Sequence, residues 1–293
     1  MLLTTAARRF LTQLEADGRS PLTVSVYRGE LGRFTHWAGS RKHAEAIRPD
    51  TIAGYMTDPA SRVSPDGTAR STRTVNRTRT VIRLFFGYLV DRGTLRQSPA
   101  RLLRNGRTGR PIPTVLSRDE EREIRGALDL VAKKNEIGRR DRVLFTLLLR
   151  SGMRLTAALA LDVQDLDLAQ CTATSRSGKN GRTQEVFLTR DVVRLLTRHL
   201  KAQAATTGPV FRSSLGRRLS ARQAQYRFRE LLVSAGIERP VTVHSLRHTF
   251  ATRLREKTGD LRVVQVALGH RHLGTTEVYA SVSDRDVQRA ISR

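Results

Sequence analysis

The sequence predicts a mainly α protein in two parts: an all-helical N-terminal domain over residues 1–100, and a mixed α/β C-terminal domain over 114–293 with one small antiparallel sheet. Three observations predict this. Through the first hundred residues, apolar side chains recur at three- and four-residue spacings, the period of an amphipathic helix. A basic, glycine-containing stretch at 101–113 ends in proline and reads as a linker. In the second half, two short β-like runs flank a Gly-Lys-Asn-Gly turn, with helical patterns on either side.

Ala6, Phe10, Leu11 and Leu14 form the apolar face of a first helix, which Gly18 ends. Ser20-Pro21 opens a second, because serine caps orphan N–H groups and proline fits the first turn, where its missing N–H costs nothing. Val24, Tyr27, Leu31, Phe34 and Trp37 carry that helix forward. Pro49-Asp50 opens a short third helix over 51–56. A fourth spans 71–90, with Val75, Val81, Leu84, Phe85 and Leu89 inward and Arg70, Arg73, Arg77, Arg79 and Arg83 outward. That many arginines on or near one side of a helix suit contact with DNA phosphates; a solvated face is the alternative.

In the second domain, Ser117 and Glu120 have the spacing of a capping box. An apolar helix over 143–149 ends at Gly152. The β-like runs cover 171–174 and 184–188, and helices are expected over 189–200, 220–232, 243–256 and, after an Asp260 cap, 261–268.

The 293 residues hold 53 Lys plus Arg against 27 Asp plus Glu, a net charge of +26. A balance this basic points to a polyanionic partner. The charge is spread over the chain: residues 1–105 carry 18 basic and 8 acidic side chains, so both domains are candidates for touching nucleic acid. Of the cations 47 are arginine, which suits bidentate phosphate contacts but equally reflects GC-rich coding. Cys171 is the only cysteine, which excludes a disulfide framework and a thiolate zinc site. No apolar run approaches the ~20 residues that span a bilayer, and Arg8, Arg9, Glu15 and Asp17 break any signal-peptide core. The chain reads as cytosolic, with DNA access placing it at the nucleoid.

The chemistry-bearing residues fall in order along the second domain. Arg154 follows the helix-ending Gly152, a position that exposes a functional side chain. Lys179 sits at the tip of the predicted hairpin, where a solvated basic turn is the alternative. His244, Arg247 and His248 lie on one predicted helix, then come Leu268-Gly269-His270, and Tyr279 nine residues later. Arginine forks fit phosphate oxygens, imidazoles exchange protons near neutral pH, and a tyrosine hydroxyl can attack phosphorus. Alone, each is more often a packing or surface residue; the ordered set is what signifies.

In order and spacing, Gly-Met-Arg154-Leu-Thr, Gly-Lys179, His244-x-x-Arg247-His, Leu-Gly-His270 and Tyr279 resemble the tyrosine recombinase (phage integrase) family. All six positions of that family's catalytic set are filled. The N-terminal pattern, down to Ser98-Pro99-Ala100, is similar to the family's helical core-binding (SAM-like) domain, and with no arm-binding domain ahead of it the chain resembles the compact, Xer-like architecture. The resemblance implies a site-specific DNA recombinase that cuts and rejoins strands through a 3′-phosphotyrosine and a Holliday junction. It implies paired inverted half-sites on double-stranded DNA, a homo- or hetero-tetramer on that DNA, and a monomer in solution.

A phosphodiester repels nucleophiles, so the phosphate must be neutralised and the leaving oxygen protonated. Arg154 and Arg247 suit the non-bridging oxygens, with His270 as a further donor. His244 is the candidate base for the Tyr279 hydroxyl and Lys179 the candidate acid for the 5′ oxygen. A tyrosyl ester conserves the bond, so resealing requires neither ATP nor metal. No cofactor is expected. A zinc site at His244 and His248 is disfavoured, because Ser-Leu-Arg lies between them where zinc hydrolases place a glutamate.

One departure stands out. The family usually has a supporting glutamate three residues after the first arginine, where this chain has Ala157; Asp162 and Asp165 follow closely as candidates to replace it. A type IB topoisomerase-like activity and a catalytically silent DNA-binding regulator are the competing functions. The tail supports recombination: Val287, Ala290 and Ile291 line one side of a short helix too small to fold alone, and in the resembled family a neighbouring protomer supplies its groove.

Overall fold

The computed structural model describes residues 1–109, 113–176, 183–268, 288 and 291. The chain divides into two compact units, Met1–Pro111 and Ile112–Arg293.

The first unit is helical: α1 Leu3–Ala16, α2 Pro21–Ala38, α3 Pro49–Thr57, α4 Pro59–Arg62 and α5 Thr72–Asp91. The Ser20 cap is the one the sequence predicts, and Ser71, expected as the first residue of the fourth helix, also serves as a cap. Ser20 Oγ accepts from the Thr23 N–H at 3.2 Å, and Ser71 Oγ from Thr74 at 3.3 Å, each satisfying a donor that the first helical turn leaves unpaired. The core is aromatic. Phe34 meets Tyr55 edge-on at 5.1 Å between ring centroids, and Phe85 packs on Phe86 at 4.9 Å.

Two expectations for α5 fail. Leu84, placed inward by its apolar character, is 47% exposed, because Phe85 and Phe86 occupy the buried arc of that turn. Arg70, placed outward, has a side chain only 5% exposed, drawn in by the buried Glu30. Arg83 turns along the helix surface to hold the following chain, and Arg79 turns to Asn76 on its own helix. Arg83 Nη1 donates to the Leu103 carbonyl at 3.1 Å, and Arg79 Nη1 to Asn76 Oδ1 at 2.7 Å. Asn76 in turn pairs with both backbone groups of Gly106, at 2.8 Å each.

The second unit contains α6 Arg118–Lys134, α7 Glu136–Ser151, α8 Leu155–Ala160, β1 Leu166–Asp167, β2 Thr172–Ser175, β3 Gln184–Phe187, α9 Arg190–Ala202, α10 Ala221–Ser234, α11 Val243–Thr258 and α12 Leu261–Leu268. The Ser117–Glu120 capping box forms: Glu120 N–H donates to Ser117 Oγ at 3.1 Å, and Ser117 N–H to Glu120 Oε2 at 2.7 Å. The antiparallel sheet has the order β1-β2-β3, with Ala173 opposite Val186. Strand β1 and helix α8 were not foreseen; two and six residues are too short to show a period.

Helix α7 is the central element, packing on α6, α9 and α11. Its Gly138 lies so close to α6 that a Cβ there would sit 1.8 Å from the Val131 carbonyl oxygen. Arg140 and Asp141 on α7 are buried as a pair, with Arg140 Nε 3.0 Å from Asp141 Oδ1 and Arg227 of α10 donating to Oδ2 at 2.7 Å. Among the described residues, no helix is long and apolar enough to cross a membrane.

Candidate active site

Helix α7 ends because Gly152 adopts φ +66°, the left-handed cap, with its N–H bonded to the Leu148 carbonyl at 3.0 Å. A side chain there is excluded twice, since a Cβ would also lie 2.3 Å from Phe250 Cδ1 and 2.9 Å from Leu268 Cδ2. This turn delivers Arg154, exposed at the start of α8. Helix α11 begins with reciprocal capping between Thr242 and Ser245, Thr242 N–H donating to Ser245 Oγ at 3.1 Å. Its buried Thr249 fixes it to the segment just ahead of α6 by accepting from the Leu116 N–H at 2.9 Å.

Arg247 of α11 is 6% exposed and held by two backbone carbonyls: Nη1 donates to Gly152 at 2.6 Å and Nη2 to Leu268 at 2.8 Å. Burial, and then the charge of Arg154, push its pKa down to about 10, so it stays cationic at neutral pH. The two guanidiniums therefore face a common space. His244, one turn earlier, is exposed to the same space. Burial and then the charges of His248, Arg247 and Arg154 lower its pKa below the ordinary histidine value, which keeps the imidazole neutral and able to accept a proton. The His248 ring stands edge-on to it at 4.7 Å.

Arg154, Arg247 and His244 line one cleft of about 560 Å³. Arg229 and Gln225 of α10, Thr156 of α8 and Thr242 ahead of α11 complete its polar lining, and no carboxylate is among the described residues that border it. Such a concentration of positive charge suits an anion. Arg229 and Gln225 were not singled out in the sequence; their four-residue spacing on the polar face of the predicted 220–232 helix was the available signal. The base of the β2–β3 hairpin also reaches this place, since Ser175 and Gln184 border a smaller hollow with Arg154, Ala157 and Arg247.

Lys179, His270 and Tyr279 lie outside the described residues. The elements leading to them do not: β2 and β3 flank the Lys179 turn, and Leu268, whose carbonyl Arg247 holds, stands two residues before His270. Neither acid proposed to stand in for the glutamate missing at Ala157 braces Arg154. Asp162 pairs with Arg218 at 2.7 Å and Asp165 with Arg176 at 2.5 Å, both being carried away from Arg154 by the turn after α8. Ala157 is buried, and among the described residues nothing bonds the Arg154 side chain. In the tail, Ile291 packs on its own chain, against the cluster built on Phe250, Val263 and Val264.

A cleft presenting two arginines and a neutral histidine from Gly-Met-Arg and His-x-x-Arg motifs, on this two-unit helical frame, defines a phosphoryl-transfer class of site. The chain belongs to the phage integrase family, the tyrosine recombinases: residues 115–286 match the Phage integrase family and residues 7–93 its N-terminal SAM-like domain. It is similar to the tyrosine recombinase XerC of Alcanivorax borkumensis, at 31% identity over 278 residues that cover 92% of this chain and 87% of the relative. It is also similar to XerC of Chromobacterium violaceum, at 30% identity, covering 94% and 90%. In fold it resembles a lambda integrase fragment solved as a dimer bound to a core site, with a TM-score of 0.73 and 17% identity over 97% of this chain and all of that one. XerH bound to its difH substrate is similar too, with a TM-score of 0.68 and 23% identity over 96% and 83%.

Proposed function

We propose that this tyrosine recombinase performs site-specific exchange on double-stranded DNA by forming and resealing a 3′-phosphotyrosine, through a Holliday junction. The observation that carries the proposal is the cleft itself, where Arg154 and Arg247 converge beside a neutral His244 with no bordering carboxylate among the described residues. In this reading the two arginines grip the non-bridging oxygens of the scissile phosphate. His270 adds a donor, and His244 accepts the proton of Tyr279 as its oxygen bonds to phosphorus. Lys179 gives a proton to the departing 5′ oxygen. The ester holds the energy of the broken bond, so the reverse attack by a 5′ hydroxyl restores a diester without ATP or metal.

The partners in this proposal are DNA with paired inverted half-sites and further recombinase protomers, a homo- or hetero-tetramer assembled on the DNA from monomers. Solved structures similar in fold include a lambda integrase tetramer bound to a Holliday junction. The site of action is the cytoplasm, at the nucleoid. Recombination is favoured over topoisomerase-like relaxation and over silent regulation by the whole-chain similarity to recombinases. The working domain division is 1–100 for core-type DNA binding, 101–113 as linker and 114–293 for catalysis.

Tyr279→Phe tests the proposal. On a nicked suicide substrate the parent protein accumulates covalent protein–DNA adduct, whereas the variant binds the same DNA and forms none. Adduct persisting in the variant removes Tyr279 from its role.

A further inference from the structure

The N-terminal unit holds a charged cluster that the catalytic reading leaves unused. Glu30 on α2 is 1% exposed, yet its carboxylate is ringed by donors from several elements. Arg70, just ahead of α5, reaches both carboxylate oxygens through Nη2, at 2.8 and 2.9 Å, while its Nη1 donates to the Ser61 carbonyl at 2.9 Å. Thr78 Oγ1 donates to Oε2 at 2.7 Å. Arg33, one turn along α2, lies 2.6 Å from Oε2, and Arg77 donates to Oε1 through Nε and Nη2, each at 3.3 Å.

The stoichiometry is unequal: one carboxylate faces three guanidiniums. Burial works to raise the Glu30 pKa, but the hydrogen bonds from Thr78, Arg70 and Arg33 outweigh it and hold the carboxyl below its usual range, so Glu30 is ionised. Tying α2 to α5 requires no more than Arg70 and Thr78, which already satisfy both oxygens. Arg33 and Arg77 go further. Each keeps one edge on Glu30 while 38% and 48% of its side chain faces water, and Arg73, exposed one turn before Arg77, lengthens the same ridge. A long arginine side chain loses much rotamer freedom when it grips a phosphate, and a guanidinium already held along one edge has less to lose. Buried ion pairs are a poor source of stability and a good means of fixing geometry.

We infer that Glu30 is a positioning residue that presents Arg33 and Arg77 as a preformed two-armed grip for DNA phosphates. The inference rests on reading the α2–α5 face as a DNA contact. It also makes Arg70, which the sequence grouped with the DNA-facing arginines, part of the support beneath them.

The sign of the charge supplies the test. Glu30→Gln raises the net charge by one, so charge alone predicts tighter binding to DNA and an unchanged or steeper salt dependence. Loss of positioning predicts the reverse. The full chain is titrated against a short fluorescein-labelled duplex of mixed sequence by anisotropy across a salt series, well below each variant's unfolding midpoint. Each phosphate contact contributes about 0.9 to the slope of log K against log salt, so Glu30→Gln should bind more weakly with a slope shallower by about 1 to 2. Arg33→Gln and Arg77→Gln should each flatten the slope by about 0.9 in the parent and by less in the Glu30→Gln background. Where Glu30→Gln fails to fold, Thr78→Val, which removes one bond to Oε2, is read in the same way with a smaller change. Binding by Glu30→Gln that is as tight as the parent with an equal slope, or full additivity with the arginine variants, overturns the positioning role. Arginine variants that leave the slope unmoved overturn the underlying reading of the face instead.

Discussion

Gly152→Ala should damage both the fold and the cleft, and its cost can be worked out against a second glycine in the same unit. Gly152 and Gly259 each end a helix in the left-handed conformation, at φ +66° and +68°. A side chain in that conformation costs about 1–2 kcal/mol at either site. Around Gly259 an added Cβ meets nothing within 4 Å, whereas at Gly152 it lies 2.3 Å from Phe250 Cδ1 and 2.9 Å from Leu268 Cδ2. Phe250 is a buried ring on α11 and cannot simply swing aside, so overpacking adds about 1–3 kcal/mol. Gly259→Ala should therefore be mildly destabilised and Gly152→Ala should lose about 2–5 kcal/mol in total, read from thermal unfolding by circular dichroism. The Gly152 carbonyl also holds Arg247, and Arg154 follows two residues later. Displacing this turn by even an ångström should slow adduct formation on a suicide substrate by about 10²-fold in the folded protein. Equal stability of the two variants, or normal cleavage by Gly152→Ala, would refute the argument that one glycine turn shapes the cleft.

Other outcomes follow from the same geometry. Arg154→Ala and Arg247→Ala should each lower the cleavage rate by about 10² or more, measured in single turnover with DNA saturating; near-normal rates would remove the residue concerned from phosphate stabilisation. Because the His244 pKa is lowered, the neutral base form should dominate at pH 7 and above, so cleavage should be flat there and fall only as pH drops through a value below the ordinary 6.5. A profile that instead keeps rising as the pH passes above 7 would contradict a neutral His244 base. Lys179→Ala should cleave poorly on ordinary DNA but recover on a substrate with a 5′-thiol leaving group, since sulfur departs with little protonation. No recovery would dismiss Lys179 as the acid.

Much of the frame was legible in the sequence because it is written in local chemistry. Ser20, Ser71, Ser117 and Ser220 all cap helices where serine before an apolar period implies a start, and Gly152 ends α7 where its freedom at positive φ is needed. The hairpin strands were legible as two short β-like runs on either side of a Gly- and Asn-containing turn. The Gly-Met-Arg154 and His244-x-x-Arg247 motifs were legible too, and the fold brings those three side chains to one cleft. Shorter elements were not. Strand β1 exists only because β2 supplies its partner, and the six residues of α8 are too few to show a period.

The sequence by itself determined the helical periods, the caps, the excess of cations and the order of the residues that meet at the cleft, all properties of neighbours along the chain. Tertiary structure decided what each charge is used for. Nothing local distinguishes Arg70 from Arg73, yet Glu30, forty residues before Arg70, draws the one inward and leaves the other in water. Glu30 itself falls on the apolar face of α2, three residues after Tyr27 and four before Phe34, an acid where a hydrophobe is due. Asp162 and Asp165, near Arg154 in sequence, are committed to Arg218 and Arg176 by the turn that follows α8. A guanidinium can reach carbonyls and carboxylates from several elements at once, so its partner is set by which elements pack together, and that is settled only when the core closes.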